Sequence, residues 1–595
     1  MQNIEALILL RNFIERLEPN DDGKRSLSGS ITDRELQAIN IAISVLENAQ
    51  SSTISTNKTE PLDRNLQELG SPDVFISPKD DTHVSKSTSD VPAGKLAEQE
   101  DAYTFSKQLS LNLASTGSDG IPDNMRLCMD FGTAMSKATL VNDGGEFEEI
   151  HVLRLGIPGD NEEDSQTMLI SSVYIASNGR LWFGKKAVDY STQEGEDRDR
   201  MDNIKRWLSE DQMSIEVDEK FNPTEITIQY ADVILAYLTF FTWTVNKALI
   251  LDMPDLELSA SKLIRRFAMP CLPDPQAGEV SLKIRRYLSE AQILADTFAD
   301  AIHEGLPLKD FVSCVKELRT LKRDCKFVAE DITEPLGVAG SLISWKTNID
   351  LCAMVIDVGA GTSDFSMFQI HIDPDLPQKT SAVEIFGASR GIRLAGNYLD
   401  SALKHMALAR AGVNSNHPQW SQINWGIDRL VRQHKETLFS EGEVFITLSN
   451  GEEVHILLKD FLEIEPVKQF GDQLKDTMRQ MLNDVDESWI NRIHAHPTRY
   501  VTVVLTGGGA SLPMVQSLAT ESVTVRNKVV PLRAALSFPM WMSTDYPELE
   551  EDYPRIAVSL GGARRRLLAR SGPATITAGD ISAPAKLGGY YMKGI

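Results

Sequence analysis

The spacing of apolar positions changes several times along the chain. Ile4, Leu7, Leu10, Ile14 and Leu17 recur at intervals of three and four, the period of a helix with one apolar face, and Pro19 ends the run. A second helix is expected to open with Thr32 and Glu35 in capping-box positions, with Leu36, Ile39, Ile43 and Leu46 along one face. Two such helices cannot bury both apolar faces by themselves. Residues 1–50 are therefore expected to dock, either on the main domain or on a partner protein. Residues 51–122 are dominated by Ser, Thr, Asp, Lys and Pro with few aromatics, the composition of a disordered linker. From 124 to about 563 the two periods alternate. The pattern predicts strand, turn and strand over residues 126–141, strands over 168–175 and 180–183, and helices over 227–251 and 283–301. Alternation of this kind predicts an α/β architecture. The 32 residues after Ala563 are rich in Gly, Ala, Pro and Arg and read as a tail.

Composition narrows the function classes. A chain of 595 residues is too long for one core and implies two or more folded units. The formal charge of −25 repels phosphate backbones, so no nucleic-acid partner is expected. The dense basic run Arg564-Arg565-Arg566 reads as a solvated face or tail. Five scattered cysteines without a Cys-x-x-Cys pair argue against a disulfide framework or zinc site and fit a reducing, cytoplasmic setting. The start of the chain lacks the basic flank of a signal peptide. The apolar stretch from Val233 to Val245 is shorter than the roughly 18 residues that span a bilayer, so it is read as a buried helix and no membrane partner is expected.

Three glycine turns carry the candidate chemistry: Asp130-Phe131-Gly132-Thr133-Ala134-Met135-Ser136-Lys137, Asp357-Val358-Gly359-Ala360-Gly361-Thr362-Ser363-Asp364, and Gly507-Gly508-Gly509-Ala510-Ser511-Leu512-Pro513. Each follows an apolar strand. Glycine lets a hairpin tip approach a phosphate, because no side chain stands in the way. The exposed N–H groups and a threonine hydroxyl then donate to phosphate oxygens. In the first two turns, an aspartate at the strand end (Asp130, Asp357) suits hydrated Mg²⁺, which prefers carboxylates and retained waters. The run from Gly179 to Lys186 nearly fits a P-loop but lacks the closing Ser or Thr, and His494 and His496 have no third metal ligand nearby.

In this order, the turns resemble the first phosphate, second phosphate and adenosine motifs of the actin, sugar-kinase and heat-shock-chaperone superfamily, over roughly residues 124–563. Finer matches resemble the seventy-kilodalton heat-shock chaperones: Gly361-Thr362-Ser363-Asp364, Asn203-Ile204-Lys205-Arg206, Thr333-Glu334-Pro335, Leu394-Ala395-Gly396-Asn397-Tyr398-Leu399-Asp400, and Ala557-Val558 with Gly561-Gly562-Ala563. The resemblance implies a two-lobed actin-like ATPase fold of duplicated ribonuclease-H-like domains over residues 123–563, behind a helical N-terminal extension. It implies ATP or ADP with Mg²⁺ held by Asp130 and Asp357. Gly132, Thr133, Ala134, Gly359, Gly361 and Thr362 would cradle phosphates, while Gly396, Lys435, Gly507, Gly508 and Gly509 would line the nucleoside. Lys205, Glu334 and Asp364 would be catalytic. The chain departs from the family pattern at Ala134, Met135, Ala360, Arg432 and Ser511, and the last two lie where the adenine would be recognised. The expected function is a weak Mg²⁺-dependent ATPase acting as a chaperone-like nucleotide switch. A peptide-binding sandwich needs about 100 residues, more than follow Ala563, so the switch is expected to act through a protein partner at the N-terminal helices. A filament-forming ATPase and a nucleotide-binding pseudoenzyme are the alternatives.

Overall fold

The computed structural model describes residues 109–569, with breaks at 117–123, 157–166, 195–198, 273–275 and 322–327 and at single residues 146, 211, 258 and 521, together with strands Leu17–Pro19, Arg25–Leu27 and Thr575–Thr577. The chain divides into two compact units, Met1–Ser106 and Lys107–Ile595. In the first, Leu17–Pro19 pairs antiparallel with Arg25–Leu27. Leu17, expected on a helical face, is thus in a strand, next to Glu18, whose position before Pro19 disfavours helix. The remainder of the two expected helices and of the linker up to 108 lies outside the described residues.

The second unit is a mixed α/β structure. Its first large sheet contains β1 (Met125–Asp130), β2 (Met135–Asn142), β3 (Glu149–Val152), β4 (Arg265–Met269) and β5 (Val328–Thr333), in the spatial order β5-β4-β1-β2-β3. β1, β2 and β3 are antiparallel, while β4 and β5 run parallel to β1. The second contains β6 (Ile349–Val358), β7 (Ser363–Ile372), β8 (Ser381–Ile392), β9 (Val501–Thr506) and β10 (Leu532–Ala534), ordered β10-β9-β6-β7-β8. Its strand directions repeat those of the first sheet. The central strands are covered on both faces, which explains their nearly continuous apolar sequence: Leu127, Cys128 and Met129 in β1, and Met354, Val355 and Ile356 in β6, are all fully buried.

Helices α1 (Tyr230–Asp252) and α2 (Gln276–Thr297) pack together in the first core with Phe131, Trp207 and Phe267. α1 is long and apolar enough to cross a membrane, yet most of it is buried inside the fold, as the stretch 233–245 led us to expect. α2 begins seven residues before its expected start and ends four earlier. α3 (Glu334–Leu342) follows β5. The second core gathers α4 (Gly396–Arg410), α5 (Trp420–Glu441), α6 (Glu465–Asp484) and α7 (Glu487–His494). A third cluster joins the two sheets through α3 and α8 (Tyr553–Ala563), with Cys128 and Ala268 from one side and Val355, Phe368 and Val504 from the other. At the α3–α8 crossing a Cβ on Gly561 would lie 1.8 Å from the Gly337 carbonyl oxygen, so these helices touch through their backbones.

Three expectations need correction. Part of the expected linker is packed: Leu109, Leu111 and Leu113 lie against the first core, and the Asn112 N–H donates to Thr297 Oγ1 at 2.9 Å. The single expected strand over 168–175 is split into Leu169–Ile170, which pairs with β2, and Val173–Ile175, which pairs with Arg180–Phe183 in a separate sheet. The expected tail also starts too early. Arg564 is 4% exposed and donates to the carbonyl of Ile343 and, at 2.8 Å, to Glu148. It satisfies a carbonyl left open at the end of α3. Leu568 is buried, the Ala569 N–H donates to Ala382 O at 2.9 Å, and Thr575–Thr577 pairs with β8.

Candidate nucleotide site

The β1–β2 hairpin puts Asp130 and Lys137 directly opposite each other, with Lys137 Nζ 3.4 Å from Asp130 Oδ2. Its turn, residues 131–134, is pinned from behind. Ser171 Oγ donates to Gly132 O at 2.8 Å, the Ser171 N–H donates to Ala134 O at 2.9 Å, and the Tyr237 hydroxyl lies 2.9 Å from Ser136 Oγ. These hydroxyls are buried, so the tip has little freedom to move away.

The β6–β7 hairpin is built alike, with Asp357 opposite Asp364 and the Gly359 N–H donating to Thr362 O at 3.0 Å. Ala360 does not adopt a positive φ, so the turn accommodates its side chain without backbone strain. The two tips face each other: a methyl group on Gly361 would sit 3.1 Å from Thr133 Oγ1. The third turn folds back on the second. Gly507 has φ +83°, and a Cβ there would lie 2.3 Å from Asp357 Oδ1. The Gly509 N–H donates to Val358 O at 2.9 Å, while Gly508 faces open space. The start of α4 closes another side, as the N–H groups of Gly396 and Asn397 donate to Gly359 O and Ala360 O at 3.1 and 2.8 Å. Lys435 of α5 reaches the same corner, but its ammonium is engaged by Asp400 at 2.6 Å and by Gly396 O at 3.1 Å.

Between the turns stand Lys205 and Glu334. Asn203, in a left-handed conformation that asparagine tolerates better than most residues, turns the chain so that Lys205 precedes the short helix Arg206–Ser209. Glu334 is the first residue of α3, directly after β5. The two side chains are buried and hydrogen-bonded to each other. Asp364 Oδ1 accepts the Cys271 N–H at 2.9 Å, and Gly391 leaves room for it, since a Cβ there would come within 3.0 Å.

The electrostatics are those of a carboxylate-rich pocket. Asp130, Glu334, Asp357 and Asp364 meet Lys137 and Lys205, so full ionisation leaves an excess of two negative charges in a buried space. Burial, reinforced by Glu334, Asp364 and Asp130, pushes Asp357 well above the usual carboxylate range, and Lys137 pulls the other way. Burial and Glu334 push Asp364 up to about 7, against the hydrogen bonds from Cys271 and Thr362. Burial disfavours the charge on Lys205, but Glu334 and Asp130 outweigh it and hold its pKa above the ordinary value.

The structure thus brings together Asp130, Gly132, Thr133, Ala134, Lys205, Glu334, Asp357, Gly359, Gly361, Thr362, Asp364, Gly396, Gly507 and Gly509 from segments hundreds of residues apart in sequence. Sequence reasoning missed Lys137 as a site residue. Counting a four-residue turn outward from the strands would have set it opposite Asp130. The backbone donor of Cys271 has no sequence signal at all. The near-P-loop lies apart, with Lys185 paired to Asp189 and Lys186 donating to His303 O. Among the described residues no group of three or more His, Cys, Asp or Glu side chains is arranged to hold a metal ion. No family model matches the chain, and no curated protein matches it either.

Proposed function

We propose that the chain is an ATP-binding, Mg²⁺-dependent ATPase of the two-lobed actin-like kind, acting as a nucleotide switch of the heat-shock-chaperone type toward a protein partner. The observation that carries this reading is the convergence of two aspartate-bearing hairpin tips, from two sheets of identical strand order, on the buried Lys205–Glu334 pair. A binding site for triphosphate alone has no need of four buried carboxylates. Their excess of two charges fits a divalent cation that keeps its waters and takes one or two protein carboxylates plus phosphate oxygens, which asks for no cage of three protein ligands. Asp130 and Asp357, at the two strand ends, would hold it. Bound there, the cation supplies charge neutralisation of the phosphate oxygens.

The chain's own groups then divide the remaining work. The N–H groups of the two turns and the hydroxyls of Thr133 and Thr362 bind the phosphates. Lys137 and Lys205 place positive charge beside the transferred phosphoryl group, where charge stabilisation is the main source of rate. Glu334 orients Lys205, and Asp364, with its raised pKa, accepts a proton from the attacking water near neutral pH. The glycine contact between α3 and α8 gives the two sheets a narrow backbone crossing through which closure around nucleotide reaches the outer surface.

The test is Mg²⁺-dependent ATP binding and hydrolysis by the full chain beside Asp357→Ala and Lys205→Ala. Loss of binding in the first and loss of turnover with retained binding in the second are expected. Absence of binding by any nucleotide in the wild type would overturn the reading. Tight binding without turnover in the wild type would make the chain a pseudoenzyme, the reading favoured by the direct engagement of Lys205 by Glu334 and of Lys435 by Asp400.

A further inference from the structure

The charge of −25 is unevenly spread. Residues 488–535 contain five Lys or Arg and one acid, Glu521, together with His494 and His496. The flanks are the reverse: 436–487 holds thirteen acids against four Lys or Arg, and 545–552 holds five acids and no Lys or Arg. The fold gathers the basic stretch onto one surface of the second sheet. α7 packs on the hairpin formed by Val523–Val525 and Lys528–Val530, where Lys528 pairs with Glu487 at 2.8 Å and His494 Nδ1 lies 3.3 Å from Val529 O. Arg499 donates to Arg492 O at 2.9 Å. The guanidinium of Arg533, on the edge strand β10, lies over the Tyr500 ring at 4.0 Å from its centroid, and the Arg492 guanidinium lies 5.7 Å from the Trp489 ring centroid. Arg526 occupies the hairpin tip in a left-handed conformation and donates to Val485 O at 2.9 Å, just past the end of α6.

Arg492, Arg499, Arg526 and Arg533 are exposed, and among the described residues none of the four forms an ion pair. The nearby acids are engaged: Glu487 with Lys528, and Asp486 as the cap of α7 through the Ser488 N–H. A guanidinium over a ring face and without an ion-pair partner keeps donors for a carboxylate, which arginine can take by two parallel hydrogen bonds. A long polyanion would overrun this patch onto the acidic flanks and be repelled there. A short cluster of carboxylates would not.

We propose that this surface binds a short acidic segment of a partner protein, its Asp or Glu side chains pairing with Arg492, Arg499 and Arg533. The proposal is independent of the nucleotide reading. The probe is a fluorescein-labelled peptide with a central run of glutamates, titrated with the full chain and followed by anisotropy. Single-stranded oligonucleotide and phosphatidylserine vesicles serve as competitors. Saturable binding is expected that weakens about tenfold in the Arg492→Glu, Arg533→Glu double variant and falls as salt rises through the range where surface charges are screened. Lys459→Glu, an exposed change on the acidic flank, should alter it less than about twofold. Unchanged circular dichroism of the double variant keeps its loss of binding interpretable. Absence of saturable peptide binding, equal loss in Lys459→Glu, or tighter binding of the oligonucleotide or the vesicles would overturn the proposal.

Discussion

Asp364 gives the site a measurable cost in stability. Its carboxyl is fully buried and its pKa is raised from 3.8 to about 7, chiefly by burial and by Glu334. A carboxyl raised in the folded state binds its proton more tightly there than in the unfolded chain. Its contribution is therefore fully favourable below the unfolded value of 3.8 and is lost as pH rises through about 7. At 1.36 kcal/mol per pKa unit the difference amounts to about 4 kcal/mol at pH 8 and about 2 kcal/mol at pH 5. Asp364→Asn removes the charge and keeps an oxygen to accept the Cys271 N–H. The variant should accordingly be more stable than the wild type, by up to about 4 kcal/mol at pH 8 and by roughly half that at pH 5. It should also flatten the fall in stability between pH 4 and 7. Urea unfolding followed by tryptophan fluorescence at pH 5, 6, 7 and 8 measures this as a shift in midpoint. A variant no more stable than the wild type at pH 8, or one whose gain does not shrink toward pH 5, would refute the claim that this carboxylate is held against its own electrostatics. If Asp364 serves the proposed water activation, the same variant loses ATP turnover, the trade between stability and activity expected of a strained site.

Two further changes probe what supports the site. Gly561→Ala places a methyl group 1.8 Å from the Gly337 carbonyl, so α3 and α8 must separate. A destabilisation of about 3 kcal/mol, the upper part of the range for overpacking, is expected in thermal melts, whereas Ala at Gly508, which faces open space, should cost much less. Lys205→Met leaves Glu334 buried without its cation, a loss of about 3–5 kcal/mol. Adding Glu334→Gln should recover most of it, and a double variant no more stable than Lys205→Met would refute the pairing as the source of the loss.

The sequence by itself determined much of the site's raw material. A strand buried on both faces, such as Leu127–Met129 or Met354–Ile356, must be written in apolar residues, so its end at Asp130 or Asp357 is visible as the point where the pattern breaks. The glycines that follow are visible for a local reason as well: at Gly132 a Cβ would lie 2.0 Å from the Met135 carbonyl oxygen, so the turn needs close backbone approach. α1 was legible because a helix apolar on all sides has to be buried. Local signals failed where partners are remote. Leu109 to Leu113 look like linker, since three leucines in a polar stretch reveal nothing about a core completed by α2. Arg564 looks like a tail cation, and it is the open carbonyls at the end of α3, some 220 residues earlier, that bury it. Only the tertiary structure set the Thr133 and Gly361 tips against each other, placed Lys137 and the Cys271 N–H among the carboxylates, and raised the pKa values of Asp357 and Asp364. Pairing, burial and charge coupling depend on distances between segments hundreds of residues apart. Periodicity along a chain encodes which face is buried, and the fold decides what that face meets.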